Sequence, residues 1–532
     1  MPERTTYDAL VVGGGHNGLV CAAYLCRAGL RTLVVERREV VGGRCVGDKS
    51  ASGWRMGGAM GPVSALRKDV VSELGLGLEV RSPDPQVFAP LEGGGGLFLW
   101  ADPARTRDEI ARLSPADATA YGDFAARFEE AASRLAPLLT YPATWAHARR
   151  VLRRSPIEDL YRETVEASIG EVCEDRFAGD SLKGVLAWRA LMGSAAGPWT
   201  PGTGYLYVHR LADAAGAQGA CGLVRGGGEA LIWSLAEAVR SGGGEILTQA
   251  EVAAIKPAPD RRRAAGVVLS SGQEVHAPVV CSSADPKRTL SLVDPSLLPS
   301  ELVEEVSLLP TAGCLVRVDC ALSGLPRFAG LPARTEPGPE HLGAIVVAPS
   351  LGYLEQGAAA ASEGRPAPAM ALEAWIQPAI QGSAGEPSRR RARLLSIFAQ
   401  YAPYELASGT WEERREEIGD AVVSSLERHC SGLSDLIEER IVLGPPDLEE
   451  EFGVTGGHIL HGEMLPDWMY ERRPAPTWHR YRAPVAGLYL CGSGTHPGGG
   501  LTGAPGRNAA RAVLEDLSAS GAREVLLTER PQ

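Results

Sequence analysis

The sequence predicts an α/β protein: a doubly wound nucleotide-binding domain with an α+β region inserted into it. Three observations carry this. Residues 7–12 (YDALVV) are a short apolar run with the length of a buried parallel strand. A glycine turn follows, and it opens the run LVCAAYLCRAG, whose small apolar residues suit a helix packed tightly on a sheet and closed at Gly29. Residues 31–36 (RTLVVE) then return as a second strand, which completes a Rossmann-like unit of strand, glycine turn, helix and strand.

The same layers recur later in the chain. Residues 225–228 are glycine-rich and precede EALIWSLAEAVRSGGG, an amphipathic helix ended by glycines, and EILTQAEVAAI reads as two successive strands. Two short β runs about a Ser-Gly turn and an apolar strand at residues 279–281 follow. A last buried strand at residues 487–491 leads into a second glycine-rich turn and a helix around residues 507–517. The nucleotide domain is therefore expected from residues 1–75, 206–289 and 450–532. Residues 76–205, mostly helical, and 290–449, mixed strand and helix, are expected to form the substrate-binding insertions.

Composition narrows the function classes. With 532 residues, 44% apolar and 22% charged, the chain has the make-up of a globular protein with a sizeable core. A net charge of −12 repels phosphate backbones, so no nucleic acid is expected as a partner. The ten cysteines include no C-x-x-C pair and no His/Cys cluster, so neither a metal site nor a dithiol redox centre is expected. Such cysteine usage suits a reducing cytoplasm. The start, MPERTTYDAL, lacks the pattern of a secretory signal, and the uncharged stretch 9–26 holds His16, Asn17 and four glycines, which argues against a membrane span. Arg149, Arg150, Arg153 and Arg154 make a basic helix face, an ordinary solvated surface that also allows peripheral contact with a membrane.

The chemistry lies in three motifs. In the first turn, Gly13 permits the tight bend, Gly15 lets a pyrophosphate approach the backbone, and Gly18 lets helix and strand close up, with His16 and Asn17 between them. Glu36 ends the second strand at the spacing at which an acid holds a ribose hydroxyl. The continuation from Glu36 and Arg37 to Gly42, Gly43 and Arg44 puts a second backbone turn and a guanidinium near a diphosphate, which suits an extended FAD better than NAD. In the third motif, Gly492, Gly494 and a helix start at Gly503 and Ala504 offer N–H groups and a positive dipole end to the anionic edge of a reduced flavin. The spacing Gly498, Gly500, Gly503 repeats the dinucleotide fingerprint by coincidence, since too little chain remains for a second βαβ domain. His496, inside that turn, is the candidate acid, base or donor beside the flavin, or else a turn residue only. His461, Glu463 and Trp54 are candidates for the pocket wall.

These blocks (GGGHNGLVCAAYL, GACGLVRGGGEAL, FAQYAPYEL, PPDLEEEFGVTGGHILHGEM and GLYLCGSGTHPGGGLTGAPGRNAA) resemble the phytoene-desaturase-related FAD-dependent oxidoreductases of the carotenoid and retinoid oxidoreductase superfamily. Within them the chain is most similar to the branch typified by pyridine nucleotide-disulphide oxidoreductase domain-containing protein 2. The resemblance implies an FAD domain of the glutathione reductase and amine oxidase type. It places Val252 beside the adenosine, and Gly57, Gly58 and Ala59 near the flavin. Where the family carries Gly-Gly-Met, this chain has Gly227, Gly228 and Glu229, or Gly226, Gly227 and Gly228 counted one earlier. The implied activity is a dehydrogenase or desaturase that moves hydride from a C–H bond of a small, lipophilic substrate to flavin N5, with oxygen or a quinone as acceptor. A flavin amine oxidase is the first rival, against which the turn CGSGTHPGGG lacks the Gly-Glu pair usual there. A non-catalytic FAD-binding scaffold is the second.

Overall fold

The structure is a computed structural model that describes residues 4–49, 55–56, 63–217, 222–378 and 393–522. Its centre is a five-stranded parallel sheet of β1 (Ala9–Val12), β2 (Thr32–Val35), β3 (Glu245–Leu247), β4 (Val279–Ser282) and β5 (Leu488–Leu490), in the order β3-β2-β1-β4-β5. Ala9 stands opposite both Thr32 and Val279, and Val280 opposite Leu488. Every residue of β1, β2 and β4 is buried, because both faces of the sheet are covered.

The two faces are covered differently. Val11, Val34 and Cys281 point toward three helices, α1 (His16–Arg27), α2 (Gly227–Ser241) and α3 (Ala504–Ala519). Leu10, Leu33 and Val280 point the other way, onto an antiparallel meander of Val252–Pro257, Ala264–Leu269 and Glu274–His276. Helices α1 and α3 touch backbone to backbone, since a Cβ on Gly506 would lie 2.2 Å from the Asn17 carbonyl oxygen.

A second core belongs to a seven-stranded sheet ordered Ile437–Leu443, Leu315–Leu322, Arg393–Gln400, Ala371–Pro378, Ala344–Val347, Val87–Pro90 and Gly96–Leu99. Only Ala344–Val347 and Val87–Pro90 pair in parallel. The helices from Pro103–Leu113 to Thr203–Ala217 share its core. Two boundaries shift accordingly. The one expected at 206 falls inside Thr203–Ala217, whose Tyr207 packs its ring 5.6 Å from Phe124 and 5.2 Å from Phe128, so this helix goes with the insertion. The one expected at 290 comes too early, because Ser300–Ser307 packs Leu302 and Val306 against Trp478 and Leu490 at the end of the parallel sheet. Among the described residues no helix is long and apolar enough to cross a membrane.

Candidate functional site

A cavity opens at the carboxyl ends of β1, β2 and β4, where a doubly wound sheet places its ligand. Gly13 bends there with φ 93°, and a Cβ on Gly18 would lie 2.1 Å from the Gly13 carbonyl oxygen, so α1 can meet β1 only through glycine. Gly15 caps α1 with no side-chain cap and no acid in the first turn, which leaves the first N–H groups of the helix available to an anion. Gly15 lines the cavity, and a Cβ on it would meet no atom within 4 Å.

Glu36 lines the cavity too, and both its oxygens already accept a backbone N–H, from Gly14 at 2.8 Å and from Arg38 at 2.9 Å. Those bonds hold the carboxylate at the strand end with lone pairs left over. Arg37 is at the cavity rim but exposed, donating to the main-chain oxygens of Glu450 and Glu451. Its neighbour Arg38, which the sequence did not single out, pins the second turn by donating to Gly43 and Val46 carbonyls at 3.0 Å each. Gly42, at φ 128°, donates to the Gly14 carbonyl and so ties the two turns together.

Four polar atoms of this cavity lack a hydrogen-bond partner among the described residues: Arg44 Nη1, Arg288 Nε, Asn17 Oδ1 and His461 Nδ1. Asn17 Nδ2 donates to Ser493 Oγ at 3.3 Å. Burial lowers the Arg44 guanidinium to about 10. An unpaired buried polar group costs about 1 to 3 kcal/mol, more when charged, so a wall built this way asks for a polar ligand. A flavin dinucleotide fits: its diphosphate suits Arg44 and the uncapped α1 terminus, and its hydroxyls suit Asn17, His461 and Glu36. His16 Nε2 sits 3.1 Å from the Gly500 carbonyl oxygen, and burial first, then Arg44, lower its pKa to about 4.

Val252, Gly43 and Gly492 also line the cavity. Gly494, Gly503 and Ala504 are absent from its wall: Gly494 packs on Pro286, and Gly503, at φ 70°, caps α3 against Leu66 and Val20. Gly58, Ala59 and Trp54 lie outside the described residues.

His496 is buried behind the second turn. Its Nε2 donates to the Leu138 carbonyl at 2.9 Å, which fixes the neutral tautomer and leaves Nδ1 with no partner among the described residues. Burial lowers its pKa to about 4, and the Tyr470 ring lies 5.0 Å away. The same turn is held by Arg473, 1% exposed, which sequence reasoning missed because a lone arginine reads as surface. Its guanidinium donates to the carbonyls of Ser493, Glu463, Leu460 and Gly462, and burial lowers its pKa to about 10. Glu463 accepts from Ser194 Oγ and the Met464 N–H, both at 2.8 Å, and burial raises its pKa.

Comparison with known proteins follows the same lines. Residues 18–318 match the family described as flavin containing amine oxidoreductase. Pyridine nucleotide-disulfide oxidoreductase domain-containing protein 2 of Mus musculus is 35% identical over 97% of this chain and 94% of its own length. A polypeptide of the limonene dehydrogenase of Castellaniella defragrans is 25% identical, covering 97% of this chain and 96% of that one. A triple mutant of putrescine oxidase shares the fold with a TM-score of 0.60 at 14% identity, covering 97% of this chain and 99% of that one.

Proposed function

As the chain belongs to the flavin containing amine oxidoreductase family, with FAD as its cofactor, we propose that it is a dehydrogenase or desaturase acting on a C–H bond of a small, lipophilic substrate. When bound, the flavin supplies a two-electron acceptor for hydride. In this reading the first turn and Arg44 hold the diphosphate, Glu36 a ribose hydroxyl and Val252 the adenosine side. The two insertions wall the substrate, and oxygen or a quinone takes the electrons away.

The observation that carries the choice of C–H over C–N is the charge behind the second turn. Arg67, Arg210 and Arg473 all act on its ionisable groups, while burial holds the carboxyl of Glu463 toward its neutral form. That field disfavours an ammonium substrate. The limonene dehydrogenase relative, by its name, acts on a hydrocarbon, which supports the same reading.

The test is anaerobic mixing of the purified, FAD-loaded protein with limonene or a polyene on one side and with putrescine or cyclohexylamine on the other. Bleaching of the yellow flavin by the hydrocarbon, reversed by a quinone or oxygen, is expected. Bleaching by amines alone, with peroxide released, overturns the reading. A colourless protein that takes up no added FAD overturns it as well.

A further inference from the structure

The helix Thr203–Ala217 carries Tyr205, His209 and Asp213 at successive four-residue steps, one stripe on one face. All three are buried. Tyr205 Oη lies 3.1 Å from His209 Nδ1, and His209 Nε2 lies 3.6 Å from Asp213 Oδ2. With the phenol donating to Nδ1, the neutral imidazole carries its proton on Nε2 and aims it at the carboxyl. The stripe ends at the second glycine turn: a Cβ on Gly500 would lie 3.4 Å from Asp213 Oδ2, and the Gly500 carbonyl meets His16, which lines the cofactor cavity. The carboxyl is therefore one residue away from the cavity wall.

A second observation points to the same place. His209 Nε2, His496 Nδ1, Tyr470 Oη and Arg67 Nη1 are buried without a hydrogen-bond partner among the described residues. They come from three elements packed around the stripe and from the stripe itself. The other charged groups that act on it are Arg210 on the same helix and Arg473 from the loop beyond Tyr470. Desolvation raises Asp213 to about 7 and lowers His209 to about 3, so near neutrality the carboxyl is the group of this cluster able to exchange a proton.

We propose that Asp213 is the proton acceptor that works beside the flavin, with His209 and Tyr205 as positioning residues that aim it. This rests on the dehydrogenation reading above. In that reaction one C–H bond gives up its hydrogen with both electrons, as hydride to bound FAD. The neighbouring C–H hydrogen leaves as a proton to Asp213, and its electron pair becomes the new C=C bond. A base with a pKa near the working pH suits such a step.

The test needs no substrate. A negative charge added beside a carboxyl raises its pKa, so reducing the bound FAD pulls a proton onto Asp213 above pH 7. Dye-referenced potentiometric titration of the FAD-loaded protein from pH 6 to 9 is expected to show wild type taking up one more proton per two-electron reduction than Asp213→Asn. Equal uptake by the two overturns the proposal. In His209→Gln the pH at which the extra proton appears is expected to move, and an unmoved break removes the positioning role. Should Asp213→Asn hold no FAD, wild type decides alone: a reduced-minus-oxidised infrared spectrum that gains no protonated-carboxyl band overturns the proposal. A wild-type protein without FAD overturns the function reading and this inference together, whereas equal proton uptake overturns this inference only.

Discussion

The two glycine-rich turns have nearly the same composition and opposite surroundings. In the first, the position a Gly15 side chain would take is empty to 4 Å and faces the cavity. In the second, the corresponding positions are filled by protein: a Cβ on Gly494 would lie 2.4 Å from Pro286, one on Gly499 2.5 Å from Leu460 and one on Gly498 2.7 Å from Met464. At Gly15 the first turn leaves room for a ligand, whereas at these three positions the second lets its own neighbours in. A glycine spacing alone cannot separate these uses, which is why Gly498, Gly500 and Gly503 imitate a dinucleotide fingerprint.

The largest expected effect is one the turns share, because both bury neutral histidines. His16 and His496 stand at about 4, and His209 and His458 at about 3, in each case lowered chiefly by desolvation from an unfolded value near 6.5. The unfolded chain binds the protons, so the stabilisation is complete above pH 6.5 and is lost as pH falls toward 4, by up to about 1.4 kcal/mol per pH unit for each histidine. Urea denaturation at pH 7 and pH 5 checks this, and a midpoint that does not fall at pH 5 contradicts it.

The turns part at substitution. Gly494→Ala forces a methyl against the Pro286 ring and is expected to cost about 1 to 3 kcal/mol or more of stability whether or not FAD is present. Arg44→Met removes a buried cation whose Nη1 has no partner among the described residues, so the FAD-free protein is expected to melt higher while FAD affinity falls about 10²-fold, the loss of a charge-assisted bond. Thermal melts with and without FAD should therefore move in opposite directions, and parallel shifts refute the ligand role of Arg44. Gly15→Ala has the smallest reach. Its φ of −70° suits alanine, so the FAD-free melting temperature stays, while the methyl in the path of the diphosphate lowers FAD affinity about 10-fold on the scale of one lost contact. Unchanged affinity by fluorescence titration would mean that the open side of the first turn does not receive the cofactor.

What the sequence made legible is local. The unit from β1 to β2 reads well because its signals are contiguous and glycine leaves few alternatives at Gly13 and Gly18. Adjacent residues of like charge do not separate this way: the motif points to Arg37, and it is Arg38 whose side chain braces the turn at Gly42 and Gly43. The Tyr205, His209 and Asp213 stripe was visible only as spacing, and it disappears in a helix whose other faces, Leu206, Tyr207 and Val208, are also buried. The surroundings of Arg473 and the docking of the meander on the second face of the sheet depend on contacts between distant segments, which no window along the chain contains.

The order β3-β2-β1-β4-β5 has a consequence for synthesis. β5 pairs with β4 across about two hundred residues of intervening chain, so at 5 to 20 residues per second the sheet waits roughly 10 to 40 s on the ribosome for its last strand. During that interval β4 presents an open apolar edge, and α3, which covers α1, has not been made. Cofactor loading is thereby tied to completion of the chain, and the growing polypeptide has good reason to need a chaperone.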